Sequence, residues 1–227
     1  MSLMHRSQTE FVDRHDAGQR LAGELLHLKE ERPVVLALPR GGVPVAFEVA
    51  KALAAPLDLL MVRKLGAPGH PEYGIGAVVD GSEPQLVLND EAMEIVRPSA
   101  EYIEAEMQRQ LKEIERRRAQ YFSDRAPIPL SGRTAIVVDD GIATGGTVRV
   151  ALKAIRKANA ARIVLAVPVA PRDTLESLHD EADEVVCLSV PDHFRAVGLH
   201  YDNFEQTSDA EVVACLNAAR EWLSPEA

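Results

Sequence analysis

The strongest indication of the fold is the segment Thr134-Ala-Ile-Val-Val-Asp-Asp-Gly-Ile-Ala-Thr-Gly-Gly-Thr147. The four apolar residues from Ala135 to Val138 predict a central parallel strand that is covered on both faces. Two acids and a loop of small residues follow, and the spacing of Val148, Leu152 and Ile155 predicts a helix that begins at Val148. Because open α/β sheets bind ligands outside the carboxyl ends of their strands, this loop is a candidate binding site.

The loop after the strand is suited to a phosphate monoester. Hydroxyls and unpaired backbone N–H groups converge at a helix N-terminus, where the helix dipole favours negative charge and glycines allow close approach. The residues of this phosphate cradle are Ala143, Thr144, Gly145, Gly146 and Thr147. Asp139 and Asp140 end the strand, and two carboxylates beside the cradle suit a sugar phosphate whose hydroxyls they can accept. The alternatives are an ordinary helix capped by Asp140 and a nucleoside triphosphate loop, which would need a lysine after Gly146.

The order of four apolar residues, two acids and Thr-Gly-Gly-Thr resembles the phosphoribosyl pyrophosphate motif of the type I phosphoribosyltransferases. The resemblance implies an α/β fold with a central, mainly parallel five-stranded sheet flanked by helices. It further implies one domain over residues 10–216, with a core at about 32–190 and a long helical insertion at about 98–124. A small hood would comprise residues 190–207 together with the N-terminal helix. In this family the acids hold the ribose hydroxyls and the cradle holds the 5-phosphate.

Composition excludes several classes of protein. A chain of 227 residues can build one sizeable core, and a net charge of −10 with a pI near 5.2 disfavours nucleic acid or an anionic membrane as the main partner. There is no run of 18 apolar residues, so we expect no membrane span. Cys187 and Cys215 offer neither a disulfide framework nor the spacing of metal ligands, so we expect a reducing cytoplasm.

A second anion site is predicted between a short strand at Val34 to Leu38 and a helix whose first residue is Pro44. The turn that joins them is Pro39, Arg40, Gly41 and Gly42. Two glycines after an arginine can present N–H groups and a guanidinium to an anion. The turn resembles the pyrophosphate loop of the family, and Leu38-Pro39 is the bond at which a cis form costs least. A glycine-rich turn with a surface arginine is the alternative.

The strand at Leu57 to Val62 is followed by a stretch rich in glycine and proline that reaches Gly76, which predicts an irregular or mobile loop. It resembles the flexible loop that closes over pyrophosphate in the family, with Arg63 and Lys64 at its start and Glu72 in the place of a proposed acid or base. Lys64 as a solvated charge and Glu72 as a surface residue remain alternatives. Beyond the loop, Ile75 to Val79 and Gln85 to Leu88 predict a hairpin.

Helices and further strands complete the pattern. A narrow apolar stripe predicts a long charged helix from Ala100 to Phe122 that packs on the body or on a second subunit, with Arg116 to Arg118 on a solvent face of ion pairs. Phe11 to Leu28 predicts a first helix, in which the run Asp13 to Asp16 is a solvated turn. The remaining predicted elements are strands at Arg162 to Val169 and Glu184 to Val190 and a helix at Arg172 to His179.

The segment from Val190 to Phe204 is unusually aromatic, and such loops often stack a flat ligand. It resembles the hood of the 6-oxopurine phosphoribosyltransferases, so Phe194 would stack on the acceptor ring and Asp202 would lie near its exocyclic group or the metal. This sequence has one more residue between Phe194 and Gly198 than that hood has. The alternative is a loop whose aromatic residues close the top of the core.

The resemblance implies a magnesium-dependent reaction that transfers ribose 5-phosphate from phosphoribosyl pyrophosphate to a nitrogen of a nucleobase or related heterocycle. It also implies a role in nucleotide salvage and a homodimeric protein. Arg40, Lys64 and Mg²⁺ would neutralise the departing pyrophosphate, with Asp139, Asp140 (through water) and Asp202 as the metal residues. Ala143 replaces the acid of the 6-oxopurine members, which disfavours a standard 6-oxopurine substrate. A non-catalytic sensor of phosphoribosyl pyrophosphate or a nucleotide, and a non-nucleobase acceptor, are the alternatives.

Overall fold

The computed structural model describes residues 10–122 and 126–222. In chain order its strands are β1 (Val34–Ala37), β2 (Leu57–Leu59), β3 (Val62–Ala67), β4 (His70–Val79), β5 (Gln85–Leu88), β6 (Thr134–Val138), β7 (Arg162–Val169) and β8 (Glu184–Ser189). Its α-helices are α1 (Arg14–Glu24), α2 (Gly42–Leu53), α3 (Asp90–Val96), α4 (Ala100–Phe122), α5 (Gly146–Lys157), α6 (Arg172–Leu178) and α7 (Asp209–Glu221). Short 3₁₀ helices lie at Leu26–Glu31, His179–Glu181 and Val197–His200.

Five strands form a parallel sheet in the order β2-β1-β6-β7-β8. Side chains alternate along each strand, so Ile136 and Val138 face a core shared with α1, α2 and α7, while Ala135 and Val137 face a core shared with α5. All of these residues are buried because helices cover both faces of the sheet. The predicted five-stranded parallel sheet is confirmed. Among the described residues, no helix combines the length and apolar character needed to cross a bilayer.

A second, antiparallel sheet in the order β3-β4-β5 corrects one prediction. The stretch predicted as an irregular loop is a hairpin in which Lys64 pairs with Ala77 and Ala67 pairs with His70, while the β4–β5 hairpin is confirmed. Leu65 and Ile75 are fully buried on this sheet. The glycines and prolines suggested a loop, but antiparallel pairing satisfies the backbone and these two side chains hold the hairpin on the core.

The long helix α4 has the predicted bounds, and its stripe packs on the body of the protein. Arg116 and Arg117 each pair with Glu113 on the exposed face, as expected. Arg118 does not belong to that face. Its guanidinium is buried, with Nη2 donating to Asp58 Oδ1 at 2.6 Å and Nη1 donating to Asp80 Oδ2 at 2.8 Å. Arg118 lies one turn after the buried Ile114, so its position on the helix turns it toward the sheet.

Candidate active site

The phosphate cradle lies where β6 ends. Gly145 has a φ of +73°, a conformation that favours glycine, and it precedes α5, which begins at Gly146 rather than at the predicted Val148. Thr174 on α6 supports the loop, because its hydroxyl donates to the carbonyl oxygen of Ala143 at 2.8 Å. The N–H groups of Gly146 and Thr147 therefore belong to the first turn of the helix, where backbone donors have no partner within the helix.

Asp139 and Asp140 lie directly after β6. The backbone N–H of Asp140 donates to Asp139 Oδ1 at 2.9 Å. Burial raises the pKa of Asp139 well above its ordinary value, and the neighbouring carboxylate of Asp140 raises it further. Burial also raises the pKa of Asp140, although the guanidinium of Arg14 opposes this. Burial thus favours the neutral form of Asp139, and among the described residues Arg14 is the ion-pair partner that opposes this effect at Asp140.

Arg14 was missed by the sequence interpretation, which placed it in a solvated turn. Its side chain is only 11 % exposed, and both Nε and Nη2 lie 2.8 Å from Asp140 Oδ2. Asp13 caps α1 through a hydrogen bond from Asp16, so part of the run does form a helix start. Nothing in a run of charged residues reveals a contact with a residue 126 positions away. The prediction of a solvated turn is wrong at Arg14 because tertiary packing decides its burial.

The turn from Pro39 to Gly42 packs directly on the carboxylates. A Cβ atom on Gly41 would lie 2.0 Å from Asp140 Oδ2, so only glycine allows this approach. The cis peptide bond is Pro39-Arg40, which corrects the prediction of a cis bond before Pro39. The intrinsic preference of the bond before proline therefore does not decide its position. The helix α2 begins at Gly42, so Pro44 lies within its first turn and is not its first residue.

If this site binds phosphoribosyl pyrophosphate, as the sequence resemblance implies, Gly41→Ala should weaken that binding by about tenfold or more. The φ of Gly41 is −60°, which alanine adopts freely, so the added methyl group acts only by displacing the carboxylate of Asp140. Overpacking of this kind costs about 1 to 3 kcal/mol. Calorimetric titration measures the affinity. Gly23→Ala on α1 is the control, because a Cβ atom there meets nothing within 4 Å, and it should leave affinity unchanged. Equal affinities of the two variants would contradict the steric argument.

A cleft of about 410 Å³ opens in front of this turn. Four arginines line it, together with Thr147 and Asp209: Arg40, Arg63, Arg116 and Arg117. Arg40 Nη1 lies 3.5 Å from Asp209 Oδ1, and Arg63 Nε donates to Gln110 Oε1 at 3.0 Å. In a chain of net charge −10, this local excess of guanidinium groups suits a polyanion. We call it the arginine cleft.

A second cleft of about 710 Å³ contains Lys64, Glu72 and the cradle residues Thr144, Gly146 and Thr147. Arg63 and Lys64 are adjacent on β3, and because side chains alternate along a strand they line different clefts. The sequence predicted that both lie at the start of one loop. The structure therefore places Arg63 with Arg40 in the arginine cleft, and it places Lys64 and Glu72 beside the phosphate cradle.

The hood segment lies against the end of β6. A Cβ atom on Gly141 would be 2.6 Å from Val197 Cγ1, and Tyr201 donates its hydroxyl to the carbonyl oxygen of Asp140 at 2.6 Å. Phe194 stacks on His200 with ring centroids 5.6 Å apart and an interplanar angle of 12°. Asp202 is exposed, and its backbone N–H donates to the carbonyl oxygen of Phe11 at 2.8 Å. Among the described residues, neither Phe194 nor Asp202 lines the two clefts above.

Known proteins resemble this chain over most of its length. A family model described as a phosphoribosyl transferase domain matches residues 7–203. Two Mycobacterium tuberculosis proteins, "Putative phosphoribosyl transferase Rv0571c" (strain H37Rv) and "Putative phosphoribosyl transferase MT0597" (strain CDC 1551), are 51% identical over 209 residues. The aligned residues cover 92% of this chain but 47% of each relative, so the chain spans about half the length of the curated relatives it matches.

A solved structure agrees with this result. The protein in the crystal structure of TT1426 from Thermus thermophilus has 44% sequence identity to this chain. The two structures match with a TM-score of 0.79 over 91% of this chain and 97% of that one. The parallel sheet and the family match together confirm the predicted type I fold. The acids and the cradle lie inside the matched residues, and the chain belongs to the phosphoribosyl transferase family.

Proposed function

We propose that the protein transfers ribose 5-phosphate from phosphoribosyl pyrophosphate to a nitrogen of a nucleobase or related heterocycle and releases pyrophosphate. The observation that carries this proposal is that two turns suited to anions, the turn from Pro39 to Gly42 and the phosphate cradle, both adjoin one carboxylate pair. Asp140 packs on Gly41 of the first of these turns, and Asp139 and Asp140 lead directly into the cradle. A substrate with a phosphate at each end and hydroxyls between them matches this order of groups.

The carboxylates and the cradle would fix the reacting carbon. The cradle would anchor the 5-phosphate, and Asp139 and Asp140 would accept hydrogen bonds from the ribose hydroxyls, which fixes the anomeric carbon for attack. The bond from this carbon to pyrophosphate breaks with its electron pair on the leaving oxygen, and the lone pair of the acceptor nitrogen forms the new bond. The negative charge of the pair would stabilise the cationic ribose between these events.

The two clefts suggest separate tasks for the cations. Arg40 and Arg63 in the arginine cleft are placed to neutralise the departing pyrophosphate. Lys64 lines the cleft of the cradle, so its charge would act on the 5-phosphate side. Glu72 shares that cleft and is the proposed acid or base that handles the proton of the acceptor.

The carboxylate pair offers magnesium few protein ligands. Among the described residues, no group of three or more His, Cys, Asp or Glu side chains could hold a metal, so Asp202 does not complete a three-ligand set. Magnesium commonly keeps several waters and takes other ligands from substrate phosphates, so Asp139 and Asp140 could hold it through water. When bound, the ion would supply positive charge to the pyrophosphate oxygens.

The experiment is a pyrophosphate-release assay with phosphoribosyl pyrophosphate, magnesium and a panel of nucleobases and small heterocyclic amines. At least one acceptor should give pyrophosphate at a rate well above that of the reaction without acceptor. Tight binding of phosphoribosyl pyrophosphate with no release for any acceptor would overturn the transferase proposal. That outcome would favour a sensor, a function that Ala143 in place of an acid also favours.

The acceptor is proposed to stack on Phe194, with Asp202 orienting it. One face of the Phe194 ring already lies on His200, so the acceptor would use the other face. In the same panel, Phe194→Ala should weaken binding of the acceptor about five- to a hundredfold and leave binding of phosphoribosyl pyrophosphate nearly unchanged. A parallel loss of both affinities would mean that Phe194 only closes the core.

A further inference from the structure

The contact between Arg14 and Asp140 has a role that the family match does not assign. We propose that Arg14 is a positioning residue: it fixes the carboxylate of Asp140 in the orientation that the ribose hydroxyl needs. The inference rests on the proposed function. Both Nε and Nη2 lie 2.8 Å from the same oxygen, Oδ2. The other oxygen, Oδ1, takes no part in the ion pair and can accept a hydrogen bond from substrate.

Contacts that do not involve Asp140 hold Arg14 in place. Its Nη1 donates to the carbonyl oxygen of Glu205 at 2.7 Å, and its guanidinium carbon lies 3.9 Å from the centroid of the Phe204 ring. A guanidinium that stacks on an aromatic ring and binds a carbonyl has little freedom to leave. Arg14 is therefore a fixed group that presents two donors to Asp140.

Asp140 is held on its other sides as well. The hydroxyl of Tyr201 binds its carbonyl oxygen at 2.6 Å, and Gly41 packs against its carboxyl group. With Arg14 on Oδ2, the side chain of Asp140 has a guanidinium on one side and the backbone of the turn from Pro39 to Gly42 on another. A carboxylate held in this way before substrate arrives lowers the entropy lost on binding.

The opposite role for Arg14 would be a latch that occupies Asp140 and must be displaced by the ribose. The two roles predict changes of opposite sign. If Arg14 positions Asp140, its removal weakens the binding of phosphoribosyl pyrophosphate. If Arg14 is a latch, its removal strengthens that binding because a competitor is gone. The contacts with Glu205 and Phe204 favour positioning, since they would keep Arg14 in place when ribose binds.

The test compares Arg14→Gln, Arg14→Lys and Arg20→Gln. We expect Arg14→Gln to weaken phosphoribosyl pyrophosphate binding in calorimetry by about 10- to 100-fold, the range for loss of a charge-assisted hydrogen bond. Arg14→Lys keeps the charge and should recover part of the loss. Arg20 is the matched control on the same helix, because its guanidinium stacks on Phe11 and binds the carbonyl oxygen of Glu10 instead of Asp140. Arg20→Gln should bind like the wild type.

Steady-state kinetics separates positioning from a general structural role. The KM for phosphoribosyl pyrophosphate should rise and kcat should fall in Arg14→Gln, whereas the KM for the acceptor should change little. Unchanged or tighter binding by Arg14→Gln, or an equal loss in Arg20→Gln, would overturn the inference. If Arg14→Gln fails to fold, Arg14→Lys decides, since wild-type affinity in that variant would show that two aligned donors are not needed. A wild-type protein that binds no phosphoribosyl pyrophosphate would overturn the proposed function, and this inference with it.

Discussion

Replacing Asp139 and Asp140 together with asparagine should weaken the binding of phosphoribosyl pyrophosphate by about a hundredfold to ten-thousandfold. Each charged hydrogen bond to a ribose hydroxyl contributes about 1.5 to 3 kcal/mol, and the double variant loses two of them. The variant also loses the negative charge that stabilises the cationic ribose, so pyrophosphate release should fall further than binding does. Calorimetric titration and the release assay measure the two effects separately.

For Asp139, a loss of folding stability should not account for the lost affinity, whereas Asp140→Asn also leaves the guanidinium of Arg14 without its counter-charge. Because burial and Asp140 raise the pKa of Asp139, its ionised form opposes folding at neutral pH. The contribution of Asp139 to folding stability is full below its ordinary pKa and is lost as pH rises through its raised pKa. Asp139→Asn should therefore leave the Tm equal or higher at pH 7. Asp173→Asn, at an exposed acid in the first turn of α6, is a control for affinity. Wild-type affinity in the double variant would remove these acids from the site.

Arg118→Met should lower the free energy of unfolding by about 3 to 5 kcal/mol. Removing one partner from a buried ionic group leaves the others without their counter-charge, and here Asp58 and Asp80 would both lose it. Methionine keeps most of the volume, so the loss reports on charge more than on packing. Denaturant unfolding measures it. Arg117→Met is the matched control, because Arg117 is about half exposed and, among the described residues, its ion pair is with Glu113; its cost should be about 0.5 kcal/mol.

The cost of Arg118→Met should also depend on pH. Burial raises the pKa of Asp80 to about 6, while the charge of Arg118 opposes the rise. The contribution of Asp80 to folding stability is full below its ordinary pKa and is lost as pH increases through about 6. Without Arg118 the pKa of Asp80 should rise further. In the variant at pH 5, Asp80 is therefore neutral, and burying it in that form costs little folding free energy. The difference between variant and wild type should therefore be smaller at pH 5 than at pH 8, and a difference independent of pH would contradict the role of Asp80.

The sequence predicted the sheet because its signals are local. The apolar runs at β1, β6 and β7 are bounded by charges or turn residues, and such runs indicate strands buried on both faces. The bounds of α4 were likewise predicted, since its apolar stripe repeats along a single helix. The carboxylates and the cradle are contiguous in sequence, so one motif indicated both.

Long-range packing decides what the sequence did not show. Arg14 and Arg118 look like surface charges in their local sequence, yet each is buried against carboxylates from distant strands or strand ends. The hairpin of β3 and β4 has the composition of a loop, and only its pairing and two buried side chains make it a sheet. That pairing also fixes the alternation which sends Arg63 and Lys64 into different clefts.

The bridge between Phe11 and Tyr201 joins the start of the described chain to the hood, so part of the site forms only through long-range contacts. The carboxylates and the cradle together span nine residues, 139–147, whereas Asp140 meets Arg14 across 126 positions and Tyr201 across 61. Closing long loops costs entropy before their contacts can form. We therefore expect the cradle to take shape early, while the groups that fix Asp140 arrive only when the first helix docks onto the hood. Ligand-binding competence in this fold would then be acquired last, as a property of the whole chain.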